Sequence, residues 1–335
     1  MEHPLVSIIV PNYNYAHTLE ACLTSLQRQT YQPTEIIMVD DGSTDDSVAI
    51  ARRLGVRVEH TARNIGAPGA RNHGAELAAG EILFFVDSDV EVRPDAVANA
   101  VELLLADARI GAVCGNYDPE PLIRDSLVEE YRALQQYYWL AADEGDITTT
   151  YTALFAIRTD VFLNEVGPFD PSLRHTENAE YGHRLSRTHR IVLTSSVRGR
   201  HDYDDRLAVV LSKLFHRARL HVPLYLRRPD FQGGPSQDTR AWGSLAALLT
   251  LPSVALPVLF GPLWAAVPLL LLVGFLAGEA GVFRFVAGQR GPAFLAYFVA
   301  MHFLATLTIA LAGMAGVAQY AVSPVFRRTY VKGTA

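Results

Sequence analysis

Two aspartates one residue apart, in Asp87-Ser88-Asp89, close a continuous apolar run over residues 82–86. An apolar run of that length without alternation reads as a central strand buried on both faces. Two carboxylates at the end of such a strand resist joint ionisation unless something positive stands between them. Hard divalent cations that carry phosphate oxygens are held by one or two carboxylates, with water and substrate filling the remaining positions. The chemistry expected of the triplet is therefore a metal site holding a diphosphate. On the triplet alone a polar turn capped by Asp89 is equally compatible, so the surrounding elements must decide.

Residues 6–10 form a short apolar strand closed by the turn cluster Pro11-Asn12-Tyr13-Asn14. A helical pattern over residues 17–29 places Leu19, Cys22, Leu23 and Leu26 on one face. A second buried strand, residues 35–39, ends in Asp40-Asp41-Gly42, and Ser43, Thr44 or Asp45 can cap the helix that follows to residue 54. Residues 56–59 supply a third strand. This alternation predicts an α/β fold built on an open, mainly parallel sheet with helices on both faces. Ligands of such sheets bind beyond the carboxyl ends of the strands, the edge that carries Asn12, Asp40, Asp87 and Asp89. Before the central strand, residues 63–72 (RNIGAPGARN) join glycines that admit close backbone approach to Arg63 and Arg71. Beside a diphosphate these arginines would give charge-assisted hydrogen bonds; solvated helix-surface charge is their plainer role.

In this order and spacing, SIIVPNYN, VDDGSTD, RNIGAPGARNHG and FFVDSD resemble the nucleotide-binding half of the family 2 glycosyltransferases of the GT-A fold, over about residues 5–95. The resemblance implies a nucleotide-diphosphate sugar donor, UDP-type, and inverting in-line transfer. It implies that Pro11, Asn12 and Tyr13 line the base pocket and that Asp40 meets the base or ribose. Arg63, Asn64, Arg71, Asp87 and Ser88 would complete the donor site, and Asp87 with Asp89 would be the DXD pair holding Mg2+ or Mn2+.

The following half is less regular. Residues 96–106 read as a helix, 110–115 as a strand and 127–142 as a longer helix with Tyr131, Tyr137, Tyr138 and Trp139, which suit sugar stacking, a membrane interface or, for at least two of them, the core. Residues 152–170 resemble the family segment lying under the donor sugar. In residues 175–185 (HTENAEYGHRL) the family pattern Glu-Asp, whose aspartate is the general base, reads Glu177-Asn178. An amide takes no proton at neutral pH. Three readings remain: an inactivating replacement of an aspartate, which the ordinary surroundings favour; a base role passed to Glu177 or Glu180; or an acceptor phosphate, already ionised, as in the polyprenyl-phosphate sugar transferases. His201, expected after a short strand pair over 191–194 and 196–198, sits where relatives carry a histidine near the metal; a surface histidine in a turn is the alternative. His175, His183, His189 and His216 show no metal-ligand spacing.

The 335 residues are 50% hydrophobic and 19% charged with net charge −6, which argues against a nucleic-acid partner. Cys22 and Cys114 read as core. The expected division is a GT-A domain over 1–203, a basic amphipathic helix and connector over 204–240, transmembrane helices over 241–325 and a basic tail over 326–335. Residues 242–278 and 291–325 carry no Asp, Glu, Lys or Arg, and each exceeds the roughly 20 residues of a membrane span. The first, interrupted by Pro252, Pro257, Pro262 and Pro268, reads as one broken span or a tight hairpin, with a loop over 279–290 before the second. Arg217, Arg219, Arg227, Arg228 and Arg240 before the spans and Arg327, Arg328 and Lys332 after them place both flanks in the cytoplasm, with two crossings and three as the alternative. The start of the chain lacks the pattern of a signal peptide. The expectation is a multi-pass enzyme of the cytoplasmic membrane with its head in the cytoplasm, acting on a membrane lipid or lipid-linked acceptor. A nucleotide-sugar-binding subunit without turnover is the competing class.

Overall fold

A computed structural model of the chain describes residues 3–227 and 237–329. Four strands, β1 (Val6–Asn12), β2 (Thr34–Asp40), β3 (Arg57–His60) and β4 (Ile82–Val86), alternate with helices α1 (Ala16–Gln27), α2 (Ser47–Arg53) and α3 (Gly66–Glu76). They pair in parallel in the order β3-β2-β1-β4. Every residue of β1 and β4 is buried, as their unbroken apolar runs require. In register, Asn12 lies beside Asp40 and both end at the edge from which Asp87-Ser88-Asp89 leaves β4.

Beyond β4 the sheet is not mainly parallel, which corrects the sequence expectation. Next come β5 (Val90–Val92), α4 (Ala96–Ala106), β6 (Ile110–Tyr117), α5 (Leu127–Ala142), β7 (Gly145–Ile147), β8 (Leu154–Arg158), a π-helical turn at Val161–Glu165, α6 (Glu177–Leu185) and β9 (Arg190–His201). The full order is β3-β2-β1-β4-β8-β6-β9-β5, with β7 on β9. β8 runs antiparallel to both β4 and β6, β6 runs parallel to β9, and β5 and β7 run antiparallel to β9. The sheet is mixed because β8 inserts between strands of opposite chain distance, an arrangement that local pattern does not encode.

The expected strand pair near residue 195 is one strand, β9. Its pairing with β6 jumps from Gly115↔Thr194 to Asn116↔Arg198, a bulge at residues 195–197 that the polar serines there mimic as a break.

The chain divides into two units, Met1–Asp125 with Trp139–Tyr203, and Ser126–Tyr138 with Asp204–Ala335. In the second unit residues 207–227 form one helix, α7 (Leu207–Arg227), with Pro223 inside it. It packs on α12 (Pro292–Val322), where a side chain at Gly316 would meet Val222 Cγ2 at 2.6 Å. Between them lie α8 (Gln237–Ser253), α9 (Leu256–Phe260), a 3-10 turn at Pro262–Ala265, α10 (Ala266–Gly278) and α11 (Ala280–Gln289). Proline stands near the end of α8 and in the first turn of α9, of the 3-10 turn and of α10, where its missing N–H is tolerated. The loop expected over 279–290 is instead α11. It meets the preceding Pro262–Gly278 helix at a 64° bend, and the bent pair together is long and apolar enough to form a single broken span. Among the described residues α12 alone is one helix of that length, with mean hydropathy 2.0 in its most apolar window, only 33% of which is buried. The connector after Arg227, Arg228 and the tail with Lys332 fall wholly or mainly outside the described residues.

Candidate active site

Pro11, Asn12 and Tyr13 from the end of β1, Asp41 after β2, Ala67 and Ala70 of α3 and Asp87-Ser88-Asp89 after β4 line one cleft of about 150 Å³, which Tyr15 completes. Tyr13 is 48% exposed, so its ring presents a face to whatever enters. Asn12 donates from Nδ2 to Ser43 Oγ (3.1 Å), while its buried Oδ1 has no hydrogen-bond partner among the described residues.

The acidic triplet is split by its neighbours. Asp87 Oδ1 accepts from Arg71 Nη2 at 2.5 Å. Asp89 keeps 14% of its side chain accessible, yet its Oδ1 is sealed from solvent without a hydrogen-bond partner, 3.7 Å from His201 Nε2. Burial raises the Asp89 carboxyl above its ordinary value; His201 pulls it down, and Asp87 and Asp202 push it up. His201 reaches this position because β5 and β9 pair antiparallel with Val90 opposite His201, and its Nδ1 is likewise buried and unpartnered. Tyr117 and Tyr203 pack on the imidazole at 5.0 and 4.6 Å between ring centroids.

Among the described residues no three His, Cys, Asp or Glu side chains form a preassembled metal cage. Mg2+ and its analogues seldom use one, since they take one or two carboxylates and leave the other positions to water and phosphate. The unsatisfied Asp89 oxygen beside Asp87 fits that manner of binding.

Residues 7–162 match the family model described as Glycosyl transferase family 2. The chain carries a family 2 glycosyltransferase domain. It is 41% identical over 32% of its length to the uncharacterized glycosyltransferase YibD of Escherichia coli, covering 33% of that protein. It is 36% identical over 38% of its length to a PGL/p-HBAD biosynthesis glycosyltransferase of Mycobacterium bovis, covering 48% of that protein. The chain thus spans between a third and a half of these curated relatives. Among solved structures, the mannosyltransferase PcManGT of Pyrobaculum calidifontis, in complex with GDP-Man and Mn2+, aligns over 93% of this chain and 88% of its own, with TM-score 0.57 and 20% identity. That likeness shows a common fold.

Within the family 2 domain the sequence-expected residues take different places. Asp40 is buried off the cleft lining, accepting from Ser43 N and lying 3.4 Å from His60 Nδ1. Asp41, which sequence reading left out, lines the cleft. It also accepts from Ile65 N (2.9 Å), Gly66 N (2.7 Å) and Thr61 Oγ1 (2.7 Å), fixing the entry to α3. Asn64 donates to the Asp41 carbonyl and accepts from Arg174, and Arg63 is exposed. Arg71 is buried rather than solvated; burial opposes its charge, but the Asp87 and Glu177 carboxylates raise its pKa above the ordinary value.

On α6, Glu177 pairs with Arg71 (3.4 Å), and Glu180 accepts from Arg184 Nε (2.8 Å). Asn178 Oδ1 accepts from Thr152 Oγ1 at 2.8 Å, and its backbone carbonyl from Thr150 Oγ1 at 2.9 Å. None of the three α6 residues lines the cleft.

Proposed function

We propose that the chain transfers a sugar from a nucleotide-diphosphate sugar, UDP-type, to a membrane-associated, lipid-linked acceptor, with inversion. The observation that carries this reading is the sealed, unpartnered Asp89 oxygen beside Asp87 at the end of β4 in the cleft. A buried carboxylate in that state is costly until a cation or proton meets it. Asp87, Asp89 and His201 are the residues to hold Mg2+ or Mn2+, and the ion when bound would neutralise charge on the departing diphosphate. Pro11, Asn12 and Tyr13 would enclose the base, and Asp41 would hold α3 against the donor. An acceptor oxygen attacks the anomeric carbon in line; the bond from that carbon to the diphosphate breaks and its electron pair leaves with the phosphate.

One observation favours an acceptor that is already ionised. Glu177 and Glu180 each pair with an arginine, Asn178 accepts from a threonine hydroxyl, and none of the three lines the cleft, so α6 sets no carboxylate in the cleft to take a proton. A phosphate acceptor needs none. Anchoring in this reading is multi-pass, through α12 and the bent pair of helices before it, with the head on the cytoplasmic side. Turnover of UDP- and GDP-sugars by the full chain with membrane lipid extracts, with and without Mn2+, tests the proposal. Metal-dependent transfer to a lipid supports it, and binding without turnover, before and after Asn178→Asp, would point to a non-catalytic subunit.

A further inference from the structure

Arg71 stands on α3 with 2% of its surface exposed. Its two terminal nitrogens go to carboxylates far apart in the chain, Nη2 to Asp87 Oδ1 at 2.5 Å and Nη1 to Glu177 Oε1 at 3.4 Å. Its guanidinium carbon lies 6.0 Å from the centroid of the Phe169 ring. A guanidinium buried between two carboxylates has a fixed fork geometry, so it orients both partners and not merely their charge. Asp87 Oδ1 is occupied by this contact, which leaves Oδ2 to serve the cleft.

The same helix, through Asn72, and Asn64 just before it grip the segment leading into α6 at two more points. Asn72 Nδ2 donates to the Phe169 carbonyl (2.8 Å) and Asn72 Oδ1 accepts from Phe169 N (3.0 Å). Arg174 donates to the side chain and backbone oxygens of Asn64, each at 3.2 Å. The start of α6, with Glu177 and Asn178, is thereby referred to α3, whose Ala67 and Ala70 form one wall of the cleft.

We infer that Arg71 is a positioning residue, a buried strut that fixes the rotation of Asp87 for metal binding and ties it to the first turn of α6, and not a contact to the donor diphosphate. This deepens the proposed function and rests on it for the role of Asp87. The strut itself is a property of the fold and can be tested without a donor.

Two measurements on the full chain decide it, using Arg71→Met, Arg71→Lys and Glu177→Gln. In the first, Mn2+ is titrated calorimetrically into UDP-loaded protein, and UDP is titrated separately without metal. Arg71→Met is expected to weaken Mn2+ binding at least tenfold while metal-free UDP affinity stays within threefold. Glu177→Gln should shift Mn2+ affinity in the same direction by a smaller factor, and Arg71→Lys, which keeps charge but loses the fork, should not restore it. A matching loss of metal-free UDP affinity in Arg71→Met would instead make Arg71 a diphosphate contact and overturn the inference. So would unchanged Mn2+ affinity in Glu177→Gln.

The second measurement is amide hydrogen exchange across residues 177–185. It is expected to rise at least tenfold in Arg71→Met, or in Arg71→Lys should the methionine variant not fold. If wild-type protein binds neither UDP nor GDP with Mn2+, the proposed function fails and exchange alone judges the strut. Exchange in α6 that does not change in any of the three variants overturns it.

Discussion

Asp89 Oδ1 is sealed from solvent without a partner, so neutralising the residue should have opposite effects on function and on the empty protein. Asp89→Asn is expected to lower Mn2+-dependent transfer by at least about 100-fold, the scale of losing one charged group from a phosphoryl-stabilising site. The melting temperature without metal should stay level or rise, because a carboxylate oxygen sealed from solvent without a hydrogen bond is gone. Steady-state kinetics and a thermal melt measure the two effects. Asn178→Asp tests the acceptor chemistry: a rise of about 100-fold or more is expected of a hydroxyl acceptor regaining a general base, and little change of a phosphate acceptor. At this scale the sequence was partly legible. Pro11, Asn12, Tyr13, Ser88 and the two aspartates stand at strand ends, where α/β sheets collect their ligand contacts. Which of two adjacent acids faces the cleft was not legible: Asp41 lines it and Asp40 is turned to Ser43 N, a choice made by the turn after β2. That Arg71 is buried between two carboxylates was not legible, because its partners Asp87 and Glu177 lie 16 and 106 positions away.

At the scale of elements, two joints hold the cleft walls. Asp41 receives the Ile65 and Gly66 N–H groups and the Thr61 hydroxyl. Asp41→Ala should cost about 3 kcal/mol, since hydrogen bonds to a charged acceptor contribute about 1.5–3 kcal/mol each and donors are left buried; denaturant unfolding measures it. Asp45 joins the starts of α1 and α2, accepting from Ala16 N at 2.9 Å and Ser47 N at 3.1 Å. Burial raises its pKa, but these hydrogen bonds outweigh that and leave it below the ordinary 3.8. Its contribution is therefore complete above the unfolded value and disappears as pH falls through the folded one. The stability difference between wild type and Asp45→Ala should be about 1 kcal/mol at pH 7 and should shrink towards zero in acid below pH 3.8. α3 also approaches β1 so closely at Gly74 that an added Cβ would stand 2.5 Å from Ile9 Cγ2, where overpacking costs about 1–3 kcal/mol. The parallel half of the sheet was readable because each strand is a local apolar run ended by a turn. The mixed half was not, because β8 reaches its place between β4 and β6 through long-range pairing, and because the bulge in β9 imitates a loop.

Along the whole molecule, the residues that match family 2 are followed by an apolar helical region. α12 combines 31 residues with high hydropathy, and by length and composition it is long and apolar enough to cross a membrane. The chain is expected to sediment with membranes and to remain there after washing with high salt, which strips proteins held by charge alone; recovery in the supernatant would remove the anchor from the account. The apolar stretches were plain in the sequence, whereas the helix over 280–289 was hidden by Arg284 and Arg290, which made it look like a loop. The central claim, that Asp87 and Asp89 hold a divalent ion and through it an activated sugar, is met most directly by calorimetric titration of nucleotide-diphosphate sugars with Mn2+ into wild type and an Asp87→Asn/Asp89→Asn double variant. The account predicts Mn2+-dependent binding to wild type and at least a hundredfold loss in the folded variant. Equal affinity in the two proteins would contradict it.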